Sequence, residues 1–257
     1  MTLSPFRVLR AARGLWMRDR AILLPLTALF LFVPQWAILL LVPEAPALTD
    51  ASASEQALAA WSGAISTWFA SNAPTYLVAG LLSQFGTMAV ATLYLGSGAG
   101  RAGTALTRAA TLFGRYLLAV MFVWLPLVLV ASLLLSSGGL GMVAAIGPLG
   151  YLVALALLML VGPAIAAGEG GAVRAVSRAW TIARGHRLQL VALTAVLVIT
   201  AQIVTTVLLA VVHSLRVGGM ENPLVVALLD AGAAGASWAM SVALALSGVI
   251  VYRALAR

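Results

Sequence analysis

The chain has 257 residues, of which 63% are hydrophobic and 9% charged, with a mean hydropathy of +1.08. Such a composition excludes an ordinary water-soluble globule and calls for a bilayer as solvent. The formal net charge of +8 does not point to nucleic acid, because the arginines sit in short clusters beside apolar runs, which is how orientation is encoded in membrane proteins.

A helix needs about 20 apolar residues to cross the hydrocarbon core, and six runs reach that length. The first, residues 21–42, carries Pro34, which predicts a kink. The second covers 75–95, and the third covers 116–136 and contains Pro126. The fourth, about 144–167, is interrupted by Gly147, Pro148, Gly162 and Pro163, breakers that membrane helices tolerate where neighbours satisfy the freed backbone groups. The fifth covers 188–212, and the sixth lies within 223–252, longer than a crossing requires. Arginines ahead of the first run and the small residues Ala51, Ser52 and Ala53 also suggest a secretory signal, but the run is too long and the small residues too distant, so it is expected to remain as a span.

Orientation follows from the arginines. Arg7, Arg10, Arg13, Arg18 and Arg20 precede the first span; Arg101, Arg108 and Arg115 lie between the second and third; Arg174, Arg178, Arg184 and Arg187 lie between the fourth and fifth; Arg253 and Arg257 close the chain. Only Arg216 falls on the other side, with Glu44, Asp50, Glu55 and Glu221. This asymmetry predicts cytoplasmic termini in a bacterial inner membrane. The longest opposite-side segment, 43–74, places Leu58, Trp61, Ile65, Trp68 and Phe69 at helical spacing, which predicts a helix resting on the outer membrane face.

An internal repeat is visible when Arg10, Arg108 and Arg178 are aligned: VLRAARGLWMR, LTRAATLFGRY and VSRAWTIARGH. Each segment predicts a basic amphipathic helix lying at the interface, with apolar side chains dipping inward and guanidinium groups reaching lipid phosphates. Each is followed by two spans. The sequence thus predicts one all-α membrane domain over 1–257, built as three units (about 1–96, 97–167 and 168–257) of interfacial helix plus helical hairpin.

The stretch RAWTIARG, residues 178–185, resembles the Arg-Ser-Trp-x-Leu-x-x-Gly signature of the membrane domain attached to some bacterial glycerophosphodiester phosphodiesterases and of related free-standing inner-membrane proteins. Ala175 falls at that family's preceding Ala, whereas Ala179 stands where Ser is expected and Ile182 where Leu is expected. The resemblance implies a fold rather than a reaction. The soluble phosphodiesterase domain, with its acidic and histidine metal ligands, has no counterpart in the chain.

Chemistry-bearing residues are sparse. The chain has no cysteine, which removes disulfides, thiolate catalysis and cysteine metal sites, and all fifteen basic residues are arginine. Its two histidines, His186 and His213, are expected on opposite sides, so they cannot share a site. No nucleophile elbow, zinc-protease motif or P-loop occurs, and 96–100 (GSGAG) lacks the Lys and hydroxyl that end a P-loop. No catalytic residue, metal or cofactor is expected.

Intramembrane polar candidates are Gln35, Gln84, Gln202 and Asp230. The glutamines are expected to hydrogen-bond neighbouring helices. Asp230 fits either a proton or cation path or, because Asn222 and Pro223 form a helix cap and first turn, an interfacial position near Arg216. In the sixth run Ala227, Ala231, Gly235, Ala239, Ala243 and Ser247 recur at every fourth residue, which predicts a small ridge for close packing against another helix, within the chain in the favoured reading or across a dimer in the alternative.

The first functional expectation is a non-enzymatic scaffold or accessory protein that engages anionic lipids through Arg10, Arg13, Arg108, Arg174, Arg178, Arg184 and Arg187, with another membrane protein or a second copy as partner. The alternative is a small-solute or lipid transporter or channel component with a polar intramembrane path. A membrane-embedded lipid enzyme is the weakest reading.

Overall fold

The computed structural model describes residues 4–46, 55–96, 101–136, 140–219 and 222–256, and among them every regular element is helical. In chain order these are α1 (Pro5–Thr27), a π-helical turn (Ala28–Phe32), α2 (Val33–Leu41), α3 (Glu55–Leu95), α4 (Ala102–Ser136), α5 (Leu140–Ala166), α6 (Ala172–Ala183), α7 (Arg187–Val217) and α8 (Pro223–Leu255). Six stretches are long and apolar enough to cross a membrane, α1 through α2 forming the first, and they match the six runs of the sequence. Helix is forced on such segments, because in hydrocarbon each backbone N–H and C=O must be satisfied within the segment. The chain is a multi-pass helical membrane protein.

The spans divide into an inner and an outer set. α3, α5 and α8 each touch the other two, and near their C-terminal ends residues 88–94, 158–166 and 245–249 are buried on every side. The most apolar windows of α4 and α7 are only 17% and 11% buried, against 44% for α3 and α8, so α4 and α7 face lipid. The inner helices are the second spans of segments 1–96, 97–167 and 168–257.

A proline and a glycine set the closest inner contact. Pro163 has no N–H, so the Met159 carbonyl one turn earlier in α5 loses its helical donor. Gly248 of α8 lies against that carbonyl, and a β-carbon at Gly248 would overlap its oxygen. The hydrogen-bearing Cα of glycine thus covers an oxygen that the helix leaves open.

The expected ridge on α8 is not this interface. A step of four residues turns the helix by about 400°, so each position advances by about 40° and the six span roughly 200° of the surface. Accordingly Ser247 is buried, Ala227, Ala231, Gly235 and Ala243 are half-buried, and Ala239 is exposed. A β-carbon at Gly235 would meet nothing within 4 Å.

The kink expected near Pro34 takes the form of the π-helical turn that precedes it. Pro34 removes the donor for the Phe30 carbonyl, and the Val33 N–H bonds to Ala28 O, five residues back. The widened turn presses on α3 at Gly86, where a β-carbon would stand 2.7 Å from Phe30 Cβ and 3.0 Å from Leu31 Cδ2. Only glycine leaves room for it there.

Of the three basic segments, only α6 is a separate helix. In α1 a non-helical Asp19 (φ −109°, ψ 16°) sets the basic part off from the span, whereas the segment around Arg108 runs into its span within α4. Residues 101–110 and 171–180 follow the same order of exposed, half-buried and buried positions. Residues 4–13 follow it with two departures, and this order sets Ala11, not Arg10, opposite Arg108 and Arg178. Likewise the expected surface helix around Trp61 and Trp68 is the first part of α3, at about 60 Å a rod longer than the hydrocarbon core is thick. Its indoles anchor chain rather than lipid: Trp61 Nε1 donates to Pro46 O and Trp68 Nε1 to Pro43 O, both at 3.0 Å. The expectations for Leu58, Asp50, Glu55 and Glu221 fall on side chains or residues outside those described.

Candidate functional site

Above the packed ends of α3, α5 and α8 the inner helices enclose a cavity of about 310 Å³, near the lower end of small-molecule sites. α3 contributes Gly80, Ser83, Gln84, Thr87 and Ala91, residues at helical spacing that form a polar and small stripe. The π-helical turn and α2 add Leu31 and Gln35, α4 adds Tyr116 and Trp124, and Tyr151 and Ser241 complete the polar lining from α5 and α8. Among the described residues no charged side chain lines it.

The hydrogen bonds show what the cavity offers. Tyr116, buried on α4, donates its hydroxyl to Gln84 Oε1 at 2.8 Å. The carboxamide N–H groups of Gln84 remain as donors. Thr87 and Ser241 donate to Ser83 O and Ser237 O on their own helices, at 3.0 and 2.9 Å, and keep hydroxyl lone pairs as acceptors. The Ser83 Oγ is buried without a hydrogen-bond partner, a state that costs free energy unless something supplies the bond. The site therefore suits an uncharged molecule with both donors and acceptors.

The Arg-rich end below the cavity is tied shut. Each inner helix ends on a carbonyl that an arginine caps: Arg253 Nη2 donates to Tyr94 O of α3, Arg108 Nη2 to Ala166 O of α5 at 3.0 Å, and Arg178 Nη2 to Ala256 O after α8 at 3.5 Å. Cations at helix C-termini also complement the helix dipole. Gly168, at φ +93°, ends α5 in a Schellman turn, with Gly168 N–H bonding Ile165 O and Glu169 N–H bonding Ala164 O. That turn sets Glu169 3.3 Å from Arg178 Nε and 3.0 Å from the Tyr252 hydroxyl, which donates to it. On the other flank Arg18 pairs with Asp19 at 2.8 Å, and the Tyr94 hydroxyl donates to Asp19 at 2.7 Å.

The sequence candidates separate accordingly. Gln35 and Gln84 meet in the cavity. Gln202 is exposed on α7, away from the cavity, and among the described residues its side chain hydrogen-bonds no helix. Asp230 is buried in a different cavity, which it shares with Arg216. Arg108 and Arg178 are spent on helix ends, whereas Arg10, Arg13, Arg174, Arg184 and Arg187 stay exposed. The guanidinium of Arg187 lies 4.6 Å from the Trp180 ring centre. Ser83, Thr87, Tyr116, Trp124, Tyr151 and Ser241 were not singled out from the sequence; the stripe from Gly80 to Ala91 was a signal for Ser83 and Thr87, whereas the other four lie on α4, α5 and α8, where no such stripe marks them.

Fold and cavity together describe a multi-pass helical membrane protein with a polar cavity, uncharged among the described residues, between its long apolar helices. No family model, curated protein or solved structure matches the chain.

Proposed function

We propose that this protein binds a small, uncharged, hydrogen-bonding solute within the membrane and serves its passage, as a transporter or channel component. The cavity, lined by Gln84, Thr87, Tyr116 and Ser241 with no charged side chain among the described residues, carries this reading. The positive-inside bias of the arginines puts both termini and the tied end in the cytoplasm of a bacterial inner membrane, so the solute enters from the opposite side. The three-unit plan is supported by the shared order of burial in the basic segments and by one inner helix per unit. The resemblance around residues 178–185 adds the expectation of a non-enzymatic membrane domain.

The test is swelling of proteoliposomes in glycerol and urea, against the anions lactate and glutamate as charged comparators. Uncharged solutes are expected to enter faster than into empty vesicles, and Gln84→Leu is expected to remove most of the gain. Entry equal to that of empty vesicles for every solute would speak against passage.

Engagement of anionic lipid is a second reading, favoured by an apolar groove of about 280 Å³ between α1 and α8. Arg13 stands beside Trp16, Trp238, Ala239 and Ala243 in its wall, which suits an acyl chain below a phosphate. Loss of co-purified phosphatidylglycerol in Arg13→Ala tests it.

A further inference from the structure

The end of the molecule opposite the arginine caps holds a second cavity, of about 660 Å³. Ile38, Leu209 and Val212 make part of its wall apolar, while Glu44, Arg216 and Asp230 bring charge to it. Asp230 is 4% exposed. It stands about 12 Å from the start of α8 at Asn222, whose side chain caps the helix by accepting from Leu224 N at 3.0 Å. Among the described residues its carboxylate accepts no hydrogen bond and enters no salt bridge, since the cation beside it, Arg216, is paired with Glu44. His213 Nδ1 lies 3.9 Å from the same Glu44. Because Arg216 is paired with Glu44, Asp230 is the carboxylate of the described lining that has no cation of its own.

Two aromatic rings stand in the same wall. Trp68 and Tyr76 of α3 meet edge to face with centroids 6.0 Å apart, and the Trp68 indole is fixed by its bond to Pro43 O. A buried carboxylate favours a counter-charge, and aromatic faces attract organic cations more than they attract hydrated metal ions. No group of three or more metal-ligating side chains occurs among the described residues.

We infer that this outer cavity binds an organic ammonium group, with Asp230 as its counter-ion and Trp68 and Tyr76 as its aromatic walls. The ammonium comes either from a free solute or from the head group of a zwitterionic phospholipid, whose chains would follow the apolar wall. This site is separate from the central cavity, so either assignment can fail without the other.

Two arms test it on the full chain. In nanodiscs of phosphatidylglycerol, which carries no amine, calorimetry with tetramethylammonium chloride reads the free-solute source. In nanodiscs containing phosphatidylethanolamine, mass spectrometry of the intact protein reads retained lipid. Binding is expected in at least one arm and is expected to weaken at least tenfold in Asp230→Asn. Trp68→Leu, away from the buried charge, is expected to weaken it severalfold and keeps the test open should Asp230→Asn not fold. Glu44→Gln, on an exposed residue, frees Arg216 to pair with Asp230 and is expected to weaken binding too. The inference is overturned if neither probe binds the wild-type protein, if binding is unchanged in folded Asp230→Asn or in Trp68→Leu, or if neutral tert-butanol binds as well as tetramethylammonium.

Discussion

Gly248 of α8 lies against the carbonyl oxygen of Met159 in α5, where a β-carbon has no room. The relationship depends on a third residue: Pro163 leaves that carbonyl without its helical partner, and glycine alone permits a neighbouring helix to cover it. The contact lies within the buried stretches that close the cavity from below.

Gly248→Ala is therefore expected to destabilise the fold by roughly 2–3 kcal/mol or more, at the upper end of the cost of overpacking, because the obstructing atom belongs to a backbone. Thermal unfolding in detergent checks this. Gly235→Ala, on the same helix with nothing within 4 Å of its β-carbon, is expected to leave the midpoint unchanged or raise it. Equal losses at both positions would contradict the placement of the interface.

Gly86→Ala is expected to push the π-helical turn away from α3, since its β-carbon would fall 2.7 Å from Phe30 Cβ. Leu31 and Gln35 belong to that turn and to α2 and line the cavity. The variant should lose roughly 1–3 kcal/mol of stability and also lose solute entry, whereas Gly80→Ala, with open space at its β-carbon, should keep its stability.

Arginine substitutions should sort by what each side chain holds. Arg108→Ala removes a charged hydrogen bond to the end of α5 and is expected to cost about 1–2 kcal/mol. Arg10→Ala, on an exposed position, is expected to change stability by no more than about 0.5 kcal/mol. Denaturation midpoints of the two variants, measured side by side, decide it.

Much of the architecture can be read along one dimension. Run length fixes the six spans, Pro34 marks the altered turn, and Asn222 with Pro223 marks the start of α8. Gln35 and Gln84 stand out because polar side chains are rare in such runs, and both reach the cavity. The division into inner and outer helices is hidden, because lipid is as apolar as a helix interface and hydropathy gives no contrast between the two. The α8 ridge misled for a geometric reason, since fourfold spacing winds around a helix of 3.6 residues per turn. In the first basic segment two alignments differ by one residue, since Arg10 matches Arg108 by residue type while the order of burial matches Ala11. Nor could the sequence separate arginines left exposed from Arg108, Arg178 and Arg253, whose acceptors lie 58, 78 and 159 residues away.

The central claim, a polar cavity reached from one side and closed at the Arg-rich end, has a direct test because the chain contains no cysteine. Ser83→Cys places a single thiol in the cavity, and a membrane-impermeant methanethiosulfonate can be applied to right-side-out and to inside-out vesicles. Labelling is expected only from the side opposite the Arg-rich end, with Gln202→Cys, on the lipid face, unlabelled from either side. Labelling of Ser83→Cys from the Arg-rich side, or from neither side, would contradict the account.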